Sequence, residues 1–144
     1  MSLPPPLQRI VDLFGPAPKQ VKLEALLDYS DRLPPLPPEF DGHREAMEQV
    51  HECVTPFFLA TSVAEDGTAH MWFDAPREAP TTRGFAGIIA AGLDGQPATA
   101  ILEVPDLFYL DLGLDEVITP QRLRGMGAIM HRLKRQIREQ LAEA

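Results

Sequence analysis

The side chain best suited to covalent chemistry in this sequence is its single cysteine, Cys53, in the stretch VHECVTPFF (Val50 to Phe58). His51 and Glu52 precede it and Thr55 follows. A cysteine in such a setting can bind a metal, act as a nucleophile beside a histidine base, or carry a group between proteins. It can also be a small buried apolar residue. The polar neighbours argue against that last interpretation.

A metal site at Cys53 is disfavoured by the supply of ligands. Zinc takes four protein ligands, or three and a water, at spacings such as CxxC or HxxxH. His51 and Cys53 form one pair, and the remaining histidines are scattered along the chain at His43, His70 and His131. With no second cysteine beside any of them, we expect neither a metal site nor an iron–sulfur cluster.

A nucleophilic cysteine needs a base, an orienting group and donors for an oxyanion. His51 would reach the Cys53 thiol only in a bent loop, and a strand, rather than the start of a helix, follows the cysteine. A carrier thiol has fewer requirements: a sulfur on a mobile loop, shelter when idle and a docking surface. The residue pattern alone leaves the hydrolase, the carrier and the structural cysteine open.

Composition predicts one globular domain over residues 1–144, with 44% apolar and 24% charged residues. A net charge of −8 argues against general nucleic-acid binding. Six of the thirteen Lys and Arg residues lie between Arg122 and Arg138, either as a solvated helix face or as a docking surface for an acidic partner. With no secretion signal, no apolar run of membrane length and no disulfide partner, we expect a cytoplasmic protein without a membrane span.

The element that must position Cys53 is a β-hairpin that begins just after it. Two strand-forming runs, Pro56–Val63 and Thr68–Ala75, flank the turn dipeptide Asp66-Gly67. Upstream, the prolines of Leu33–Pro38 (LPPLPP) predict an extended strap across the core. Cys53 is therefore predicted to lie on a loop that leads into a strand.

Helices are predicted on both sides of the hairpin. We expect Leu23, Leu26 and Leu27 to face inward on the second helix, and Gly84 and Gly87 to allow close packing of a later helix against the hairpin. Thr119 is the expected N-cap of the last helix. The predicted helices and strands together indicate an α+β fold, with helices packed on a small antiparallel sheet around a central hairpin. The predicted helices span approximately residues 7–14, 18–30, 81–92, 97–102, 105–113 and 120–138.

Several segments, taken together, resemble the SufE family. They include LLDYSDRLPPLPPEF (Leu26–Phe40), VHECVTPFFLATSV (Val50–Val63), HMWF (His70–Phe73), TRGFAGIIAAGLDGQPA (Thr82–Ala98) and LDLGLDEVITPQRLRGMGAIMHRLK (Leu110–Lys134). The similarity covers nearly the whole chain in order, and implies a single SufE/IscU-like domain.

The resemblance implies that Cys53 accepts persulfide sulfur from a SufS-type cysteine desulfurase, stimulates that enzyme, and relays the sulfur to the SufBCD scaffold for iron–sulfur cluster assembly. The chain would be an accessory sulfurtransferase component, monomeric or weakly dimeric. It would need no cofactor of its own, because pyridoxal phosphate belongs to the desulfurase. The alternative is a regulatory module that binds a desulfurase or scaffold without carrying sulfur.

Supporting residues are also implied by the resemblance. Arg122 and Arg83 match arginines of the family pattern and would support a persulfide anion or the partner interface, or else make structural salt bridges. His51 and Glu78 are further candidates, Glu78 in place of a family aspartate. The clearest departure is Glu52, where the family has glycine. A carboxylate there would raise the pKa of the Cys53 thiol.

Overall fold

Within residues 3–143, which the computed structural model describes, five α-helices surround one three-stranded antiparallel sheet. The α+β prediction is confirmed. Three short 3₁₀-helices occupy Arg44–Ala46, Phe108–Leu110 and Leu114–Glu116. The helices are α1 (Pro5–Phe14), α2 (Lys19–Asp31), α3 (Pro80–Leu93), α4 (Ala98–Leu102) and α5 (Pro120–Glu143), and the strands are β1 (Glu48–Gln49), β2 (Phe58–Val63) and β3 (Ala69–Asp74).

The predicted hairpin is present as β2 and β3. Gly67 has φ +88°, a left-handed value that glycine adopts without strain, and the Asp66 carboxylate accepts hydrogen bonds from the amide and hydroxyl of Thr68. The third strand, β1, was not predicted. It pairs Glu48 with Leu59 and Gln49 with Phe58, so the sheet order is β1-β2-β3. The cysteine loop therefore runs between two paired strands.

The sheet contributes one face to the core. On β3, Ala69, Met71 and Phe73 are buried while the residues between them are only partly so. Helix α5 packs on β2, where Gln136 accepts a hydrogen bond from the Thr61 hydroxyl at 2.7 Å. This packing fixes α5 relative to the sheet, and with it the helix face that receives the cysteine loop.

The buried face of helix α2 overlaps the predicted one but is not identical to it. Leu26 is buried and Leu23 half-buried, whereas Leu27 is 48% exposed and Lys22 is buried. The Lys22 stem is apolar, and its ammonium group donates to the carbonyls of Gly15 and Ala17 at 3.1 and 2.6 Å. The prediction counted leucines only, so it missed the lysine that completes this face.

The glycines of α3 face α2 rather than the hairpin, so their predicted contact was wrong. A methyl group at Gly84 would collide with the carbonyl of Leu26, and one at Gly87 with that of Tyr29. Close approach of two helix backbones, which only a missing side chain permits, is the reason for both glycines.

Of two connecting segments, the proline strap matches its predicted pattern and the segment after α4 does not. In the proline strap, Leu33 is buried and no regular hydrogen-bonded structure forms from residue 33 to 37, as predicted. The predicted helix over residues 105–113 is instead a 3₁₀ turn, followed by Gly113 at φ +70°. This left-handed glycine ends the segment before an α-helix can continue.

Candidate functional site

Cys53 lies on the six-residue loop between two buried anchors, Val50 and Phe57. The amide of Val50 donates to the carbonyl of Phe57 at 2.8 Å, and the amide of Cys53 donates to the carbonyl of Val50 at 3.2 Å. The anchors are 1% and 0% exposed. The base of the loop is therefore fixed in the core, and only residues 51–56 project from it.

The thiol is half-buried against α5 at Gly125. A side chain built on Gly125 would begin 3.1 Å from the Cys53 sulfur and 3.3 Å from the Cys53 Cα. These distances are tighter than most contacts of a real Cβ, so the loop approaches the helix closely because residue 125 has no side chain. We call this contact the Cys53–Gly125 contact.

The environment keeps the thiol protonated. Burial, and then the charge of Glu52, raise the pKa of Cys53 from 9.0 to about 12, while the nearby guanidinium of Arg132 acts in the opposite direction. Since the thiolate is the nucleophile, these surroundings leave little reactive thiolate on Cys53 at neutral pH.

A cluster of ionic groups lies beside the thiol on α5. Arg132 donates to the Glu52 carboxylate from Nη2 and Nε at 2.9 and 3.1 Å, and from Nη1 to Glu48 at 2.7 Å. Glu48 also accepts from Arg135 and, at 2.8 Å, from Gln136. One arginine thus bridges strand β1 and the cysteine loop. We refer to the Glu52–Arg132 ion pair as the latch.

Both carboxylates are held in their ionised form. Burial alone would raise the pKa of Glu48, but hydrogen bonds from Gln136, Arg132 and Arg135 together lower it. The pKa of Glu52 is lowered by its own backbone amide and by Arg132, against an opposing effect of burial. Glu52 therefore remains charged beside the sulfur, as the sequence predicted, and its negative charge is paired with Arg132.

The other predicted supporting residues lie in different settings. Arg83 donates to the carbonyls of Ser30 and Ala75 at 3.0 and 2.5 Å, which joins α2 to the end of β3. These bonds give it a structural role in the resting fold, of the kind left open as the alternative, although through carbonyls rather than a salt bridge. His51 and Glu78 are exposed and Arg122 is half-exposed. Their roles toward a partner stay predictions.

His51 is exposed and is not among the groups that shift the pKa of Cys53. Within residues 3–143, no group of three or more His, Cys, Asp or Glu side chains is placed to hold a metal ion. No helix in this part of the chain is both long enough and apolar enough to cross a membrane.

An apolar groove of about 560 Å³ runs along α5 beside the latch. Leu107, Tyr109 and Leu123 contribute to its walls, and Glu52 also lines it. Leu107 is 51% exposed, and Val54, which directly follows the cysteine, is 55% exposed. Cys53 is therefore next to exposed apolar surface of the kind that protein partners cover.

Gly125, Arg132 and Glu48 were not predicted as site residues. The excess of cations on α5 indicated that the helix had a special face, but not that Arg132 contacts a glutamate 80 positions earlier. The GMG segment at residues 125–127 was a usable signal, because two glycines inside a helix cost about 1 kcal/mol each relative to alanine and call for a packing reason.

Comparisons with known proteins agree on one relationship. The SufE family model, an Fe-S metabolism associated domain, matches residues 8–137. A SufE-like protein of Mycobacterium tuberculosis is 49% identical over 138 residues, which cover 96% of this chain and 95% of that protein. SufE-like protein 1, chloroplastic/mitochondrial, of Arabidopsis thaliana is 30% identical over 126 residues, covering 87% of this chain and 33% of its own length.

A solved structure matches the fold over its full length. The solution structure of a hypothetical protein from Thermus thermophilus is 42% identical, covers 98% of this chain and 99% of its own, and superposes with a TM-score of 0.85.

Proposed function

The chain belongs to the SufE family, and we propose that its Cys53 accepts persulfide sulfur from a SufS-type cysteine desulfurase and relays it to the SufBCD scaffold. Family membership implies a role in iron–sulfur metabolism and sulfur transfer. The observation that carries the proposal is the position of the chain's single cysteine, on a short loop that shelters it against α5 without burying it completely.

The transfer step is a thiol exchange that needs no additional oxidant. The Cys53 thiolate attacks the outer sulfur of the persulfide on the donor cysteine, forming a new S–S bond to Cys53. The bond between the two donor sulfurs breaks, and the donor cysteine leaves as a thiolate that takes up a proton. Cys53 then holds the persulfide, which an acceptor thiolate on the scaffold would remove in the same way.

The site matches the needs of this step at rest and in reaction. In the sheltered conformation the high pKa of Cys53 protects the thiol from adventitious oxidation. Docking over the exposed Val54 and Leu107 would bring a donor sulfur beside the loop. We propose a cytoplasmic setting, where reducing conditions keep a lone thiol free.

Intact-mass analysis tests the proposal. The protein is mixed with a SufS-type desulfurase and free cysteine, without reductant, and weighed after removal of the desulfurase. We expect a mass gain of one sulfur atom that is absent from Cys53→Ser and from a reaction without cysteine. If desulfurase turnover increases equally with wild type and Cys53→Ser and no mass is gained, the chain is a regulatory module and the carrier proposal is wrong.

A further inference from the structure

Two neighbouring residues of the cysteine loop, Cys53 and Glu52, contact helix α5. Cys53 rests on Gly125, and Glu52 pairs with Arg132. Because seven residues make about two turns of an α-helix, Gly125 and Arg132 lie on the same face of α5. The Cys53–Gly125 contact is a packing contact, whereas the Glu52–Arg132 contact is an ion pair. Loss of the ion pair can therefore change the position of the thiol.

Arg132 is held in place before it meets the loop. Its side chain is 23% exposed and is fixed by Glu48, which belongs to strand β1 and is itself held by Arg135 and Gln136. A guanidinium already oriented by one carboxylate loses little freedom when it binds a second. Glu52, by contrast, is 43% exposed and lies on the loop, so it is the partner that can move.

From this arrangement we infer that Arg132 is a positioning residue: through Glu52 it holds Cys53 against Gly125 and so limits access to the thiol. This inference concerns the regulation of the site and rests on the proposed function for its biological meaning. Its physical content, that the latch limits exposure of the thiol, is independent of sulfur transfer.

Removal of Arg132 separates the latch from simple electrostatics, because the two predict opposite signs. The positive charge of Arg132 lowers the pKa of Cys53, so without a latch its loss leaves less thiolate and slows alkylation. With a latch, its loss frees the loop and speeds alkylation. Removal of Glu52 is less informative, since both effects would speed the reaction.

The experiment compares rates of Cys53 alkylation by iodoacetamide at neutral pH and low salt. We expect Arg132→Gln to react about three- to tenfold faster than wild type, the range for loss of a partly shielded ion pair. Arg138→Gln, which removes the same charge from an exposed position on α5, should react at the wild-type rate. Arg132→Lys, which keeps the charge, should fall between wild type and Arg132→Gln.

Three further measurements guard against indirect effects. The double variant Glu52→Gln with Arg132→Gln should react no faster than the faster single variant, because one interaction is lost only once. Raising salt from about 0.05 to 0.5 M should speed the wild type and leave the double variant unchanged. Thermal unfolding of each variant confirms that the fold is retained.

A rate for folded Arg132→Gln equal to or below that of wild type overturns the latch. This outcome is distinct from failure of the proposed function. Sulfur loading of Cys53 in the mass experiment can persist when the latch is wrong, and fast alkylation of Arg132→Gln can occur in a protein that never accepts sulfur.

Discussion

The sulfur of Cys53 lies 3.1 Å from the point at which a side chain on Gly125 would begin. The thiol can therefore be sheltered against α5 only because residue 125 has no Cβ atom. Gly125→Ala should push the loop outward and speed alkylation of Cys53 severalfold, while the gain in helix propensity, about 1 kcal/mol, is offset by the forced contact. Iodoacetamide kinetics and thermal unfolding measure the two effects.

Gly127→Ala is the matched control for that prediction. A methyl group there meets the end of the exposed Leu107 side chain at 3.3 Å, and Leu107 can move aside. We expect stability to rise by up to about 1 kcal/mol, with no change in Cys53 alkylation. Equal alkylation rates for both alanine variants would contradict the Cys53–Gly125 contact.

The pH dependence of Cys53 follows from its sheltered position. With a pKa raised to about 12, the alkylation rate should keep rising through pH 9 and 10 without a plateau. Because the pKa is raised on folding, the stabilisation from the buried neutral thiol is present below pH 9 and is lost progressively as pH rises toward 12. Wild type should therefore lose more stability than Cys53→Ala between pH 9 and 10.5, measured by urea unfolding. A half-maximal rate near pH 8.5 with a plateau above it, as in a free thiol, would show that Cys53 is exposed at rest.

The contribution of Glu48 to stability depends on pH in the opposite direction, and it is lost at acid pH. Its pKa is lowered on folding, so its contribution to stability is present above its unfolded pKa, near 4.5, and is lost as pH falls through the folded value. Glu48→Gln should cost about 1 to 3 kcal/mol at neutral pH, because three donors lose a charged acceptor. The difference from wild type should shrink on acidification toward pH 3.

Urea unfolding of wild type and Glu48→Gln at several pH values checks this prediction. Glu65→Gln, the same charge change at an exposed position beside the hairpin turn, controls for net charge. A Glu48→Gln deficit that stays constant down to pH 3 would show that loss of packing, not of charge, causes it.

The contact between α2 and α3 allows a prediction about the fold. Gly84→Ala places a methyl group against the carbonyl of Leu26, and neither helix backbone can give way freely. We expect a net loss of about 1 to 3 kcal/mol despite the better helix propensity of alanine. The lowered midpoint should appear in thermal unfolding. An increase in stability, as expected for Gly127→Ala, would mean that the helices separate easily.

Local patterns predicted those parts of the fold that depend on local chemistry. Asp66-Gly67 predicted the hairpin because a tight turn needs a positive φ, and Pro120 after Thr119 predicted the start of α5. Strand β1 was missed because Glu48 and Gln49 have little strand preference; pairing with Leu59 and Phe58 makes them a strand.

In the candidate site too, features carried by the local sequence were predicted and contacts between distant segments were not. Cys53 was identifiable because the chain has one cysteine, and Glu52 because the resemblance to the SufE family predicted a glycine there. Their partners on α5 lie more than 70 residues away in sequence, and a single sequence carries no signal for such contacts. Burial of the sulfur also depends on the tertiary packing of α5, so the raised pKa was predicted only in the part due to Glu52.

The anchoring of the loop by Val50 and Phe57 sets the reach of the thiol. An extended chain spans about 3.5 Å per residue, so Cys53, three residues from Val50, can swing to about 10 Å from that anchor and no farther. Even a fully released loop would leave the sulfur close to the body of the protein. A donor of sulfur must bring its own atom within that radius, and so the distance between the two proteins at transfer is limited by the length of this loop.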